Sequence, residues 1–179
     1  MGYIVQGYSI NDFVWPFILP LIVIVVGVAI INRLVLKKYL KLYEDGKYQE
    51  LIQKIDGKIV SVRFSKTKSF LYSLKSASQL SIGDDGFLKS VSLIDHKNYF
   101  LMKYQLLAFY WFLHDNLEEM KKCLVSLPKV YGKYKSIKIM LEELCEAKEK
   151  NSNDIFESAV LKIRNKNIAQ RIINKWEKS

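Results

Sequence analysis

The sequence predicts an all-α protein: a single N-terminal transmembrane helix followed by an α-solenoid-like array of helix hairpins. Three observations lead there. Phe13–Ile31, FVWPFILPLIVIVVGVAII, is an apolar run without one charged side chain. Helical periodicity dominates the rest of the chain. Short turns rich in Gly, Asp and Asn interrupt it at Gly46, Gly86, Asn116 and Asp154, intervals of 40, 30 and 38 residues.

Residues 1–12 are a short extracytoplasmic segment with Asp12 as its only charged side chain. The transmembrane helix is placed at 13–32: at 1.5 Å per residue the apolar run spans about 28 Å, close to the ~30 Å hydrocarbon core of a bilayer. A cleaved signal peptide is the rival. It requires a basic segment ahead of the run, and none is present, although Gly27-Val28-Ala29 resembles a cleavage site. A core helix apolar on all faces would need a larger domain around it. All 28 Lys and Arg residues follow the run, beginning with Arg33, Lys37, Lys38 and Lys41. The positive-inside rule then places the N-terminus outside and the C-terminal domain in the cytoplasm, a single-pass topology. These flanking cations sit within reach of anionic headgroups, so membrane lipid is an expected partner.

Residues 33–166 read as the helical domain. Leu36, Tyr39, Leu40 and Tyr43 fall at helical spacing, Gly46 breaks the pattern, and Tyr48, Leu51, Ile52 and Ile55 resume it. Residues 57–68, GKIVSVRFSKTK, alternate β-branched with polar side chains, which predicts a short strand or an extended link. Three further hairpins follow at 68–95, 98–128 and 135–163, turning at Gly83–Gly86, His114–Asn116 and Asn151–Asp154. Residues 167–179 place Ile168, Ile172 and Trp176 at steps of four beside Arg171, Lys175 and Lys178. That is an amphipathic C-terminal helix, expected to cap the last hairpin, with a second membrane contact as the alternative.

Helix hairpins recurring at this interval are the pattern of an α-solenoid. YLKLYEDGKYQELIQKID resembles a tetratricopeptide repeat: a helix ends in Tyr43-x-x-Gly46-x-Tyr48 before a second apolar-periodic helix. The resemblance covers about 34–166 and is degenerate. The later hairpins keep the turn but lose most of the pattern, and the closing proline is seen only as Pro128. It implies stacked helix pairs that bind peptides or proteins rather than catalyse. An unrelated helical bundle is the alternative.

No residue set carries chemistry. Cys123 and Cys145 lie in helical sequence without a CxxC, as two buried free thiols would. The two histidines, His96 and His114, fall in turn-like segments, and no His, Cys or carboxylate spacing makes a metal site. Asp84-Asp85 within GDDG fits a tight turn better than a cation site. No cofactor, no metal and no enzymatic activity are expected. The most unusual stretch is LLAFYWFL, Leu106–Leu113. It reads either as a central core helix or as one wall of a groove, with Tyr104, Phe109, Tyr110 and Trp111 as candidate partner-binding residues. YGKYKSIK (131–138) interleaves Tyr and Lys, but no nucleic-acid module accompanies it, so nucleic acid is not an expected partner. The sequence-level expectation is a membrane-anchored interaction or scaffold module holding a cytosolic protein or peptide. A small, basic, membrane-associated protein of the bacteriocin-immunity type is the alternative.

Overall fold

The computed structural model describes residues 35–127 and 135–178. The chain divides into two units, Met1–Lys41 and Leu42–Ser179. The described part of the first, 35–41, is helical. The second unit holds the end of that helix and all the helices that follow.

Four helix reversals are built by one device. A helix stops most cheaply when the residue after its last turn takes a left-handed conformation, free for Gly and least costly otherwise for Asn or Asp. The positive-φ residues among those described are Gly46 (φ 71°), Gly83 (φ 77°), Asp115 (φ 55°) and Asn151 (φ 48°). They end α1 (35–44), α3 (Ser65–Ile82), α5 (Phe100–Leu113) and α7 (Lys135–Lys150). After each, the next N–H returns to the carbonyl five residues back: Lys47 to Leu42 at 2.9 Å, Asp84 to Gln79 at 2.9 Å, Asn116 to Trp111 at 3.0 Å and Ser152 to Ala147 at 3.1 Å. This is the six-residue ring of a Schellman turn. The four turns recur at 37, 32 and 36 residues, from Gly46 through Gly83 and Asp115 to Asn151.

Each turn leads into a second helix: α2 (Tyr48–Ile59), α4 (Phe87–Ser92), α6 (Leu117–Ser126) and α8 (Asn153–Val160), with α9 (Lys166–Trp176) closing the series. A short 3-10 turn, Lys97–Tyr99, joins α4 to α5. Hairpin partners α3 and α4, α5 and α6, α7 and α8 pack on each other; α2 packs on α3, and α6 on α7. The first helices also touch in sequence, α3 on α5 and α5 on α7, whereas α4, α6 and α8 do not touch one another. So α3, α5 and α7 form an inner row. One apolar core runs through it, from Leu80, Phe87 and Ile94 through Phe112, Met120 and Leu144 to Phe156 and Ile172.

The last helix does more than cap. A solenoid repeat contacts only its neighbours, but α9 lies against α3 and α5 as well as α8. Ile168 and Ile172 are buried in the common core. Asn165 accepts from the Ile168 N–H at 2.9 Å while its Nδ2 donates to the Tyr43 hydroxyl and, at 3.3 Å, to Ser81 Oγ. The Arg171 guanidinium donates to the Leu80 carbonyl of α3, and Trp176 stacks on Phe156 with ring centroids 4.4 Å apart. Asp115, in the α5–α6 turn, takes a bond from Lys148 at 2.5 Å and pairs with Lys175 of α9.

Two expectations are corrected. The single transmembrane helix and the single-pass membrane location are overturned: no helix of the described residues is long and apolar enough to cross a membrane. The segment that suggested them, 13–32, lies outside the described residues, as do Arg33 and Pro128. The described architecture is all-α, without a membrane span. Second, no strand forms at 57–68, and the extended link shrinks to 62–64, with Phe64 extended. Helix α2 continues through Ile59, burying Ile55 and Ile59 at i, i+4. A turn follows, with Ser61 and Val62 N–H bonded to Lys58 and Ile59 O, and α3 begins at Ser65. The alternation arose from a helix end and a turn, neither of which half-buries alternate side chains.

Alanine at two of the turns separates backbone strain from contact. At Gly46 a Cβ meets nothing within 4 Å, so Gly46→Ala should cost only the left-handed strain, roughly 1–2 kcal/mol. At Gly83 the Cβ would lie 3.0 Å from Arg171 Nη2 and displace a guanidinium bonded to α3. Gly83→Ala should therefore lower the urea midpoint further; equal midpoints would contradict the docking of α9. Asp115 supplies a pH test. Its hydrogen bond from Lys148, then that from Lys175, holds the carboxyl below its ordinary pKa. Stability from this pairing is present above about pH 4, the unfolded value, and is lost as pH falls through the lower native value. Asp115→Asn should be less stable than wild type near pH 7, with the two melting curves converging in acid.

Candidate functional site

Helix α5, FLMKYQLLAFYWFL, is apolar nearly all round, with only Lys103 and Gln105 strongly polar, so its sequence alone does not decide which side turns inward. Packing does. Leu106, Ala108, Phe109 and Phe112 are buried, and α9 covers the Phe112 side, where Trp176 stacks at 6.4 Å. The other side carries Phe100, Tyr104, Leu107, Tyr110 and Trp111, all half-buried. Residues 100, 104, 107 and 111 follow the i, i+4, i+7, i+11 spacing that lines up one helix face.

The four sequence-predicted binding residues therefore separate. Phe109, 2% exposed, belongs to the core. Tyr104, Tyr110 and Trp111 remain on the half-buried stripe. Tyr110 and Trp111 meet edge to face at 4.9 Å, and Tyr104 meets Phe100 at 6.3 Å in the same manner. Two further residues join them. The Phe87 ring of α4 stacks on Tyr110 at 4.9 Å, and the His114 ring stacks on its other side at 4.0 Å. His114 Nδ1 lies 2.9 Å from the Tyr110 carbonyl oxygen, which fixes the imidazole over the phenol. His114 is reachable by helical arithmetic, one turn after Tyr110. Phe87 lies in the preceding hairpin, and no local signal pairs it with Tyr110.

Half-buried Tyr and Trp rings offer wide apolar area at little entropy loss, and each carries a polar tip. Tyr104 Oη, Tyr110 Oη and Trp111 Nε1 have no hydrogen-bond partner among the described residues. The stacked Phe87 and His114 rings hold Tyr110 in one geometry.

The remaining candidates for chemistry are accounted for structurally. Asp84 Oδ1 accepts from the Gly86 N–H at 2.7 Å and from Gln79 at 3.0 Å, closing the α3–α4 turn. His96 accepts from the Asn98 N–H and caps the 3-10 turn. No group of three or more His, Cys, Asp or Glu among the described residues could hold a metal ion. Cys123 and Cys145 are free and buried; burial pushes the Cys123 thiol up to about 11 and raises Cys145 as well. Lys37, Lys38 and Lys41 are exposed, and Arg33 lies outside the described residues.

Among known proteins, no family model, no curated protein and no solved structure matches this chain. Any function therefore rests on the chain's own residues. The thiols give a direct check of the closed core: a thiol-specific reagent at pH 8 should label neither cysteine in the native protein and both in denaturant, since the thiolate is the reacting species. Rapid native labelling of Cys123 would contradict its burial.

Proposed function

We propose that this chain is a non-enzymatic protein–protein interaction module of tetratricopeptide-like helix hairpins, which holds a peptide or protein segment on the half-buried face of α5. The observation that carries the proposal is the stripe itself: Tyr104 and Trp111 on one face, with Tyr110 beside it, edge to face with Trp111 and stacked between Phe87 and His114. Tyr and Trp in partly desolvated, pre-packed positions are the side chains that dominate binding energy at interfaces.

The repeat reading has its own support. The four Schellman turns recur at 37, 32 and 36 residues, around the 34 of tetratricopeptide repeats. At the first turn, where the sequence resemblance is strongest, Tyr43 and Tyr48 pack edge to face at 5.5 Å across Gly46. The return of α9 onto the inner row departs from an open solenoid and covers the Phe112 side of α5, leaving the half-buried stripe on the other side.

The test uses the full chain with a photo-crosslinking side chain at position 104, irradiated in its own cells. A discrete set of crosslinked proteins is expected, lost on Trp111→Ala or Tyr110→Ala with helicity unchanged. Against a purified partner, Trp111→Ala should cost about 2 kcal/mol, some thirty-fold in Kd. A crosslinked set indifferent to both substitutions overturns the proposal. Phe109→Ala serves as the contrast: it should lower stability by about 3–5 kcal/mol through a core cavity and weaken binding only by unfolding.

A further inference from the structure

Along α6 to α8 many surface charges are paired. Through α6, α7 and α8, Lys121 pairs with Glu149, Lys122 with Glu119, Lys138 with Glu142, Lys150 with Glu146 and Lys162 with Glu143. The connection from α2 to α3 differs. Lys58, Arg63 and Lys66 are exposed there, and none has a carboxylate partner among the described residues. Two carboxylates beside this connection are already engaged: Asp56 pairs with Lys75 at 2.5 Å, and Asp95 accepts from Ser69 at 2.6 Å and Ser65 at 3.0 Å. Between these cations stand two of the most exposed apolar side chains, Val60 at 88% and Phe64 at 72%.

We propose that this connection is a second docking site, separate from the α5 stripe, for an acidic polypeptide segment whose carboxylates alternate with apolar side chains. Cation and apolar group follow each other in order: Lys58, Val60, Arg63, Phe64, Lys66. An extended or helical segment alternating Glu with Leu or Phe presents the complementary order, so charge steers the encounter and the apolar side chains hold it. A bilayer surface would favour a broad cationic field, whereas Asp56 and Asp95 flank this one. A nucleic acid would leave Val60 unused.

The test is fluorescence polarisation of the full chain with a labelled peptide alternating Glu with Leu and Phe, and with the same peptide carrying Gln for Glu. The Glu peptide should bind at least ten-fold more tightly, and its affinity should fall as salt shortens the screening length. The double charge reversal Arg63→Glu, Lys66→Glu should abolish binding, and Phe64→Ala should weaken it several-fold. Melting temperatures should hold, because the substituted side chains are exposed. Trp111→Ala should leave this binding unchanged, which keeps the two sites distinguishable. Equal binding of the Gln peptide, indifference to the charge reversal, or binding to phosphatidylserine vesicles in place of the peptide overturns the proposal.

Discussion

Serine occupies positions 69, 73, 76, 78 and 81 of α3, every one buried, and this is what allows α2, α4, α5 and α9 all to reach one helix. Long side chains in those places would hold the neighbours farther off, since interhelical distance follows the size of the contact residues. The hydroxyls are accommodated locally: Ser73, Ser78 and Ser81 donate to the carbonyls of Ser69, Leu74 and Ala77, one turn earlier. Ser69 instead accepts from the N–H groups of Asp95 and His96, tying the start of α3 to the segment before α5. The accommodation is incomplete. Ser76 Oγ and Gln79 Oε1 are buried without a partner among the described residues, each a penalty of about 1–3 kcal/mol that the surrounding packing offsets.

The position of α9 follows from that same surface. Its anchors converge on the C-terminal half of α3: Asn165 reaches Ser81, and Arg171 reaches the Leu80 carbonyl, one of the last carbonyls of a helix whose end has no intrahelical donor. Burial lowers the Arg171 pKa, yet a guanidinium stays charged at any physiological pH, so the bond to Leu80 is a permanent one. With Trp176 stacked on Phe156, α9 bridges the second and last hairpins and converts a row of repeats into a closed assembly.

Exposed ion pairs decorate α6 to α8 without deciding the fold. Pairs such as Lys122–Glu119 and Lys150–Glu146 lie one turn apart on single helices, and surface pairs of this kind contribute at most about 1 kcal/mol. They occupy the carboxylates of that region, whereas Lys58, Arg63 and Lys66 are among the cations with no carboxylate partner among the described residues, in a chain of net charge +10.

By itself the sequence determined the all-α class, the four hairpins and their turns, because helical periodicity and the need for Gly, Asn or Asp at a left-handed residue are local constraints. It also placed three of the stripe residues, Tyr104, Tyr110 and Trp111, although it grouped the core residue Phe109 with them. Local rules stop there. Which side of a largely apolar helix is covered depends on where α9 lands, and that is set by side chains far apart in sequence: Asn165 against Tyr43 and Ser81, Arg171 against Leu80. The serine-rich α3 was the least legible element, since polarity predicts exposure, while here small size admitted its neighbours. Only the tertiary structure paired Phe87 with Tyr110, for stacking between hairpins leaves no periodic trace in the chain.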